Sequence, residues 1–269
     1  MKVSVIITAY RGAHLLKRVL HEYLFQSRQP DEIIVAEDAE DLNIRHLISS
    51  KYKRNLKIVH VCQKDEGYRR STILNKSIAA SDGDYIILSD ADCLPHKSFV
   101  KDHADYARPN QFILGTRAYV DESIIPSFKP TLPRRLYHAF KKQIFPRKVS
   151  FRLPYINWDS NTDPLGANMS FWKEDLIKVN GFNNDFIGWG HEDMELISRM
   201  KNVGLKNLFL HQQCILYHLN HPILSREDES LNTQLWNESK ARGDTWGKNG
   251  LDRYLSTAKE SLIKTTFKA

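Results

Sequence analysis

Four short apolar runs, separated by helical patterns, constrain the fold of the first third of the chain more than any other feature. Each run is rich in apolar, strand-forming residues, which suits a strand buried in a parallel sheet. After the first run, apolar residues repeat at three- and four-residue steps from Leu15 to Leu24, as in an amphipathic helix. Alternation of strand and helix over four rounds predicts an α/β fold with a doubly wound, mostly parallel sheet. The predicted strands are Lys2–Thr8, Glu32–Ala36, Leu56–Val61 and Tyr85–Leu88.

Two aspartates, Asp90 and Asp92, follow the fourth predicted strand. Ligands of open α/β sheets bind beyond the carboxyl ends of the strands, so we expect a site here. Two carboxylates this close can share Mg²⁺ or Mn²⁺ with the diphosphate of a substrate. An Asp-x-Asp sequence is also typical of a turn in which aspartate caps a helix, and by itself it fits both interpretations.

The charge and the cysteines narrow the choice of partner and compartment. The 39 basic and 32 acidic residues give a formal net charge of +7, which permits nucleic acid, anionic lipid or a phosphorylated substrate as a partner. Cys62, Cys93 and Cys214 are scattered, which predicts no disulfide framework and favours a reducing compartment. No signal-peptide pattern opens the chain, and no apolar run approaches the ~20 residues that cross a bilayer. We therefore expect a cytoplasmic protein, with contact to the inner face of the cell membrane as an open addition.

A segment without acidic residues extends from 123 to 158, and within it residues 128–152 interleave basic and aromatic side chains. Such a segment could rest on an anionic membrane surface. It could equally be a solvated cover over one side of the site, and the sequence leaves both interpretations open. Nucleic acid is not an expected partner, because no recognised motif accompanies the charge. The basic residues of the segment are Lys129, Arg134, Arg135, Lys141, Lys142, Arg147, Lys148 and Arg152.

Weaker patterns cover other parts of the chain. Pro95–Tyr106 predicts a helix, and Gln111–Arg117 predicts a strand. Residues 223–269 form a tail in which Glu227–Arg242 predicts a polar helix, followed by a basic end. The tail could contact a membrane or another subunit.

A glycine-flanked tryptophan and an acidic pair mark the second half of the chain. Gly188 and Gly190 on either side of Trp189 imply a tight loop that presents an aromatic ring. Glu192 and Asp193 then open a predicted helix. The ring could stack on the apolar face of a sugar, and a carboxylate beside it could take a proton from a sugar hydroxyl. Alternatively, the acidic pair only complements the helix dipole.

Together these segments resemble the two halves of known glycosyltransferases. Lys2–Thr8, Glu37-Asp38, Asp65–Asn75 and Asp90-Ala91-Asp92 resemble the nucleotide-sugar half of family-2 glycosyltransferases of the GT-A fold. The residues from Gly166 to Asp193 are similar to the C-terminal module of β-1,4-galactosyltransferases and of bacterial chondroitin-polymerase-type and capsule or lipopolysaccharide transferases. The resemblance implies a Rossmann-like GT-A domain over 1–222, divided into a nucleotide-sugar half (1–117) and a smaller acceptor and catalytic half (118–222), before the helical tail (223–269).

The resemblance also implies roles for individual residues. Asp38 would accept a hydrogen bond from uracil, and Arg69 would lie near the diphosphate unless it only forms a surface salt bridge. Asp92 and His218 would bind Mn²⁺ or Mg²⁺, with His221 as the reserve ligand. The residues implied to contact a UDP-sugar are Thr8, Ala9, Tyr10, Asp38, Gln63, Gly67, Arg69, Asp90, Ala91, Asp92, Gly166 and Asn168. Those implied to bind the acceptor are Trp189, Gly190, Glu192 and Asp193, with Asp193 as the general base and Glu192 as a second catalytic residue.

The implied reaction is an inverting, metal-dependent transfer of a hexosyl or N-acetylhexosaminyl group from a UDP-sugar to a hydroxyl of a growing glycan or lipid-linked glycan, in surface polysaccharide or lipopolysaccharide synthesis. One rival is a nucleotidyltransferase, which would need a glycine-rich phosphate loop that Thr8–Gly12 replaces poorly. Another is a non-catalytic module that binds sugar or membrane.

The chain departs from the family pattern at three positions. The second predicted strand ends in Glu37-Asp38-Ala39, where relatives often have consecutive aspartates followed by Gly or Ser, which leaves open whether Glu37 shares the contact to the base. His191 stands where galactosyltransferases have glycine, and Met194 stands where they have a further acid. Because the last two changes lie on the acceptor side, the identity of the acceptor does not follow from the resemblance, and the donor sugar also stays open.

Overall fold

The computed structural model describes most of the chain. The described residues are 1–49, 56–120, 156–158, 166–210, 213–219, 227–257, 259–263 and 265–267. None of the basic segment at 128–152 falls within these ranges. Its proposed membrane contact therefore falls outside the described residues.

Strands and helices alternate through the first ninety residues, as the sequence predicts. The elements are β1 (Val3–Ala9), α1 (Ala13–Tyr23), β2 (Glu32–Glu37), α2 (Leu42–Leu47), β3 (Ile58–Cys62), α3 (Arg70–Ala80) and β4 (Tyr85–Asp90). The strands β1, β2, β3 and β4 pair in parallel, with β1 between β2 and β4. The predicted α/β fold with a mostly parallel sheet is therefore confirmed.

The later elements add strands to the same sheet and form a second, smaller one. They are β5 (Cys93–Pro95), α4 (Phe99–Tyr106), β6 (Gln111–Leu114), β7 (Arg117–Val120), β8 (Ile156–Trp158), β9 (Met169–Trp172), α5 (Lys173–Lys178), α6 (Glu192–Asn202), β10 (Lys206–Phe209) and β11 (Leu216–Leu219). The large sheet has the order β10-β6-β9-β4-β1-β2-β3-β12, where β12 is Thr265–Phe267. The small sheet has the order β5-β11-β7-β8. Within the large sheet, β9 and β12 run against the other strands.

Two local predictions are wrong in detail. The helix expected over Pro95–Tyr106 begins only at Phe99, because Pro95 ends β5 and pairs with Leu216 of β11. The single strand expected over Gln111–Arg117 is two strands in two different sheets, β6 and β7. The break falls at Gly115, where a Cβ would overlap the side chain of Asn168.

The large sheet has a hydrophobic core on each face, because successive strand side chains point to opposite sides. Val5 and Ile7 of β1 pack in one core with α1, α2 and α4, whereas Ile6 packs in the other with α3, α5 and α6. Burying one such aliphatic side chain contributes roughly 1.5–3 kcal/mol. Strands apolar on both faces therefore hold two helical layers, and the carboxyl ends of β1, β2 and β4 remain together at one edge.

The tail continues the fold with α7 (Glu229–Arg242), α8 (Asp252–Leu255), α9 (Lys259–Leu262) and β12. Helix α7 packs on α6, and β12 pairs antiparallel with β3 at the edge of the large sheet. Such pairing covers a strand edge that would otherwise present open backbone groups. Among the described residues, no helix has the combined length and apolar character needed to cross a membrane.

Candidate active site

A cavity of about 310 Å³ opens at the carboxyl ends of β1, β2 and β4. The strand register explains why these three ends lie side by side: Thr8 of β1 pairs with Ala36 of β2 on one side and with Asp90 of β4 on the other. The Thr8 hydroxyl also donates a hydrogen bond to the Asp90 carboxylate. The cavity is lined by Thr8, Ala9, Tyr10, Arg11, Gly12, Leu15, Asp38, Tyr68, Arg70, Ile73, Asp90, Ala91 and Asp92. Seven residues implied to contact a nucleotide sugar are thus brought together: Thr8, Ala9, Tyr10, Asp38, Asp90, Ala91 and Asp92.

Asp38 is buried, and its neighbours fix its carboxylate in the cavity wall. One oxygen accepts a hydrogen bond from Gln63 Nε2 at 2.6 Å, and the other accepts one from the backbone N–H of Arg69 at 2.6 Å. Burial raises the pKa of Asp38, although both hydrogen bonds oppose the rise. A carboxylate has about four acceptor positions, so the group can still accept a bond from a ligand. Gln63 does not line the cavity itself, but its hydrogen bond orients the Asp38 carboxylate.

Glu37 precedes Asp38 but faces a different neighbourhood. Its carboxylate lies 2.6 Å from His60 Nε2, with both side chains almost completely buried, and it also accepts a bond from the backbone N–H of Asp41. Glu37 is the last residue of β2 and Asp38 the first residue after it, and successive side chains at a strand end point in different directions. Glu37 therefore does not line the cavity with Asp38.

The two adjacent arginines, Arg69 and Arg70, have opposite surroundings. The Arg69 guanidinium pairs with Glu66 at 2.6 Å and donates to the carbonyl of Lys64, so its position fits the surface salt bridge that the sequence left open. Arg70 lines the cavity and is 8% exposed. The sequence reasoning selected Arg69 and missed Arg70 together with Tyr68. No local pattern separates 68 and 70 from 69, because residues 63–69 form a loop without a regular side-chain period.

Arg70 joins the strand-end aspartates to the acidic pair of the second half. Its guanidinium nitrogens lie 3.2 Å from Asp90, 3.5 Å from Glu192 and 3.3 Å from Asp193. Glu192 and Asp193 form the first turn of α6, about a hundred residues after Asp90 in sequence. The two segments that the sequence singled out separately are therefore parts of one site.

Burial is the main electrostatic influence on Glu192 and Asp193. Burial first, and the neighbouring Glu192 second, raise the pKa of Asp193 to about 7, although Arg70 opposes the rise. The pKa of Glu192 is also raised, again mainly by burial. A carboxyl group whose pKa lies near neutrality can exchange a proton with a substrate at physiological pH.

Gly166 lies against this acidic cluster, and only a residue without a Cβ fits there. An added Cβ would overlap Asp193 Oδ2 and lie 2.7 Å from Arg70 Nη1. The backbone of Gly166 also makes a hydrogen bond to Asp193. Gly166 thus touches two of the charged groups of the site.

Asn168 and Gly67, which the resemblance also implies to contact the donor, do not line the cavity. Asn168 is 1% exposed, and its amide donates to the carbonyls of Thr116 and Cys214, at 2.7 and 2.6 Å, within the core. Gly67 lies on an exposed turn with φ of +87°. Asn168 therefore joins the two sheets rather than facing the cavity.

Asp92 and His218 meet because β5 and β11 are paired. His218 lies opposite Cys93 in the antiparallel register, and His218 Nε2 is 3.7 Å from Asp92 Oδ2. The ligand atoms of Asp92, Cys93 and His218 all lie within 4.8 Å of one another. Burial raises the pKa of the Cys93 thiol, so it stays protonated at neutral pH. The carboxylate and imidazole pair fits Mn²⁺ or Mg²⁺. The reserve ligand, His221, lies outside the described residues.

The loop before α6, residues 186–191 and named the Trp loop from here on, carries Trp189. Gly188, Gly190 and His191 have φ values of +77°, +110° and +67°. The N–H of Gly188 donates to the carbonyl of Tyr68 at 2.9 Å, which ties the Trp loop to a residue of the cavity wall. Trp189 is half-buried, and its acceptor contact stays a prediction, as does that of Gly190.

Comparisons with known proteins agree with this arrangement. The family model described as glycosyl transferase family 2 matches residues 4–166, more than half of the chain, and the model described as the N-terminal domain of galactosyltransferase matches residues 147–222. Chondroitin synthase of Escherichia coli is 26% identical over 223 residues, which cover 75% of this chain but only 32% of the relative. The chain thus spans about a third of that relative.

Solved structures share the fold at low sequence identity. S. aureus TarS 1-349 in complex with UDP-GlcNAc has a TM-score of 0.63 and 16% identity, with 97% of this chain and 74% of that chain covered. GalNAc-T7 with UDP, GalNAc and Mn²⁺ has a TM-score of 0.57 and 16% identity, with 82% and 44% covered. The family match and the shared architecture lead to one conclusion: this chain belongs to glycosyltransferase family 2 and has the GT-A fold.

Proposed function

We propose that this chain is an inverting glycosyltransferase that moves a sugar from a UDP-sugar to a hydroxyl of a glycan. The observation that carries the proposal is the contact of Arg70 with Asp90 at the donor cavity and with Asp193 at the start of α6. One buried guanidinium thereby joins the cavity at the strand ends to a carboxyl group suited to proton transfer.

The donor half of the proposal rests on the cavity. Asp38 has acceptor capacity left for an N–H of the base, and Thr8 and Asp90 lie across the neighbouring strands. UDP as the nucleotide is supported by TarS and GalNAc-T7, which were solved with UDP-GlcNAc and with UDP. Whether the sugar is a hexose or an N-acetylhexosamine is left to the assay below.

Asp92 and His218 would hold the divalent cation, and Mn²⁺ is supported by its presence in the GalNAc-T7 structure. When bound, the cation would neutralise charge on the diphosphate as a Lewis acid. The chain's own residues contribute the rest of the donor site. Arg70 adds a positive charge beside Asp90, within reach of an anionic group in the cavity.

Asp193 is the proposed general base. Its raised pKa lets it take the proton from the acceptor hydroxyl as that oxygen attacks the anomeric carbon. The bond from this carbon to the diphosphate breaks on the opposite face, UDP leaves with the bonding electrons, and the configuration is inverted. Glu192 and Trp189 would orient the acceptor. The N–H of Gly188, bonded to Tyr68, keeps the Trp loop against the donor side, where closure would exclude water.

The setting of the reaction is also part of the proposal. We take residues 1–222 as the transferase domain, with a donor half at 1–117, an acceptor half at 118–222 and a tail at 223–269. The acceptor would be a glycan or lipid-linked glycan of a surface polysaccharide, used in the cytoplasm near the inner face of the membrane. The basic residues at 128–152 or the tail would provide the membrane contact.

Calorimetry of UDP binding tests the donor site before any acceptor is known. UDP should bind the wild-type chain with Mn²⁺ and bind at least tenfold more weakly with EDTA. Asp38→Ala should weaken UDP binding with the cation present, and Asp92→Ala should remove the effect of the cation. No binding of UDP under any condition contradicts the proposal. Pyrophosphate released from UTP and a sugar 1-phosphate would instead identify a nucleotidyltransferase.

A further inference from the structure

Helix α7 of the tail binds the backbone of the Trp loop through one buried side chain. Asn232 is 2% exposed, and its Nδ2 donates to the carbonyl of Ile187 at 3.0 Å and to the carbonyl of Trp189 at 3.2 Å. The two carbonyls flank Gly188, so a single amide fixes the backbone on both sides of it. Without these two acceptors the buried amide would lack hydrogen-bond partners, which lowers stability. The position of α7 and the conformation of the Trp loop therefore depend on each other.

Gly188 lies between α7 and the donor cavity. Its N–H donates to the carbonyl of Tyr68, whose residue lines the cavity, and a Cβ added to it would overlap the carboxylate of Asp228 at the start of α7. With a φ of +77°, Gly188 has a backbone conformation that residues with a side chain rarely adopt. The Trp loop is therefore held from both sides at its most constrained residue.

The next contact lies where α6 begins. His191 has a φ of +67° and precedes Glu192 and Asp193. Its ring stacks on Trp236 of α7, with centroids 5.1 Å apart and planes 7° from parallel. Trp236 is itself oriented by a hydrogen bond from Nε1 to Ser198 Oγ at 3.3 Å. The left-handed backbone that leads into the acidic pair is thus supported by a ring from the tail.

We propose that α7 is part of the acceptor site, with Asn232 as the residue that positions Trp189 and with Trp236 as the support of His191. This inference rests on the proposed function, since it assigns the tail to the acceptor side of the same site. A sugar ring stacked on Trp189 would need the Trp loop in one conformation. The donor-side carboxylates, Asp38 and Asp92, belong to other elements, so loss of Asn232 should affect use of the acceptor and leave UDP binding intact.

Two leucine variants separate this role from general packing. Asn232→Leu removes the bonds to the Trp loop. Asn202→Leu is a control on an exposed contact: Asn202 Nδ2 donates at 2.8 Å to the carbonyl of Asp244, between α6 and the tail but away from the Trp loop. Both substitutions remove an amide-to-carbonyl bond between the body and the tail.

Hydrogen–deuterium exchange of the full chain measures the loop without any ligand. In Asn232→Leu, the amides of 187–191, including that of Gly188, should exchange roughly tenfold faster than in wild type, as loss of about 1.4 kcal/mol of local stability predicts. Asn202→Leu should leave them unchanged. Trp236→Leu, as a second variant, should accelerate exchange at 191–193. Wild-type exchange rates in both Asn232→Leu and Trp236→Leu would overturn the proposal.

The activity arm uses UDP release, with a panel of p-nitrophenyl β-glycosides as acceptors and without acceptor. Asn232→Leu should lower acceptor-stimulated release at least tenfold, with the KM of the donor unchanged within twofold. Equal losses of acceptor-stimulated release and of UDP binding would indicate a merely structural role and overturn the inference. If the wild-type chain itself neither binds UDP nor releases it, the proposed function fails instead. The exchange rates alone would then show whether α7 holds the Trp loop.

Discussion

Replacing Arg70 by methionine tests whether one buried guanidinium holds the carboxylates of the site together. Its nitrogens lie 3.2 Å from Asp90, 3.5 Å from Glu192 and 3.3 Å from Asp193. Methionine fills much of the same space but leaves these carboxylates without a counter-charge. Removing one partner of a buried ion pair typically costs about 3–5 kcal/mol. We expect Arg70→Met to lower the free energy of unfolding by about that amount above neutral pH.

The neighbouring arginine provides a matched control. Arg69 pairs with Glu66, whose side chain is 50% exposed, and it does not line the cavity. Exposed ion pairs contribute roughly 0–1 kcal/mol, so Arg69→Met should cost less than about 1 kcal/mol. The two variants make the same chemical change one residue apart, so a difference between them reports the surroundings of the guanidinium.

The cost of Arg70→Met should also depend on pH. The pKa of Asp193 is already raised to about 7 with Arg70 present, and it should rise further without it. The native state then holds a proton that the unfolded state releases near pH 4, so stability falls as the pH rises between the two pKa values. The difference between wild type and Arg70→Met should therefore be small near pH 5 and largest above about pH 8.

Urea unfolding, followed by circular dichroism at several pH values, measures these differences directly. The expected result is a large, pH-dependent loss for Arg70→Met and a small loss for Arg69→Met. Equal losses for the two variants would refute the reasoning, and so would a loss for Arg70→Met that does not change with pH.

Three further predictions concern the acidic cluster. Asp193→Asn should lower transfer by about 10²–10⁴-fold while calorimetry shows unchanged binding of UDP with Mn²⁺, and unchanged turnover would exclude Asp193 as the base. In wild type, the rate of transfer should fall about tenfold per unit as the pH drops below about 7, because Asp193 becomes protonated; a flat profile from roughly pH 5 to 8 would contradict this. Gly166→Ala should lower the free energy of unfolding by about 1–3 kcal/mol in thermal unfolding, and lower kcat, because the new Cβ overlaps Asp193. A fully active, equally stable variant would contradict this, since the side chains of the cluster would then have moved aside without cost.

The strands of the large sheet were predictable because their side chains are apolar on both faces. Val5, Ile6 and Ile7 of β1 are all fully buried, and this continuous pattern distinguishes a central parallel strand from a half-exposed one. The site at the strand ends followed from the same argument, since Asp90 ends β4 beside Thr8 of β1. Local patterns were sufficient for these strands because each is buried on both faces, whichever strand lies beside it.

Contacts distant in sequence were beyond local patterns. Gln111–Arg117 has one strand pattern, yet its two ends join different sheets, with β10 and β9 on one side and β11 on the other. The pairing of β12 with β3 joins residues about two hundred positions apart. Neither partner can be read from the composition of the segment itself.

Individual side chains within the site were the hardest to assign. Arg69 and Arg70 are chemically identical neighbours, and only their direction separates an exposed ion pair from a buried contact with Asp193. Asn168 likewise was implied to contact the donor sugar, but its amide donates to two backbone carbonyls in the core. The strand ends predicted where a candidate site lies, and the three-dimensional arrangement shows which side chains line the cavity there.

Release of UDP from a panel of UDP-sugars, with Mn²⁺ and with EDTA, tests the central claim most directly. The account predicts release from one sugar or a small set of related sugars, dependent on the cation and lost in Asp92→Ala. Such a result would name the donor as well as the reaction class. No release from any UDP-sugar, combined with no binding of UDP in calorimetry, would contradict the account and favour a module that binds sugar or membrane without catalysis.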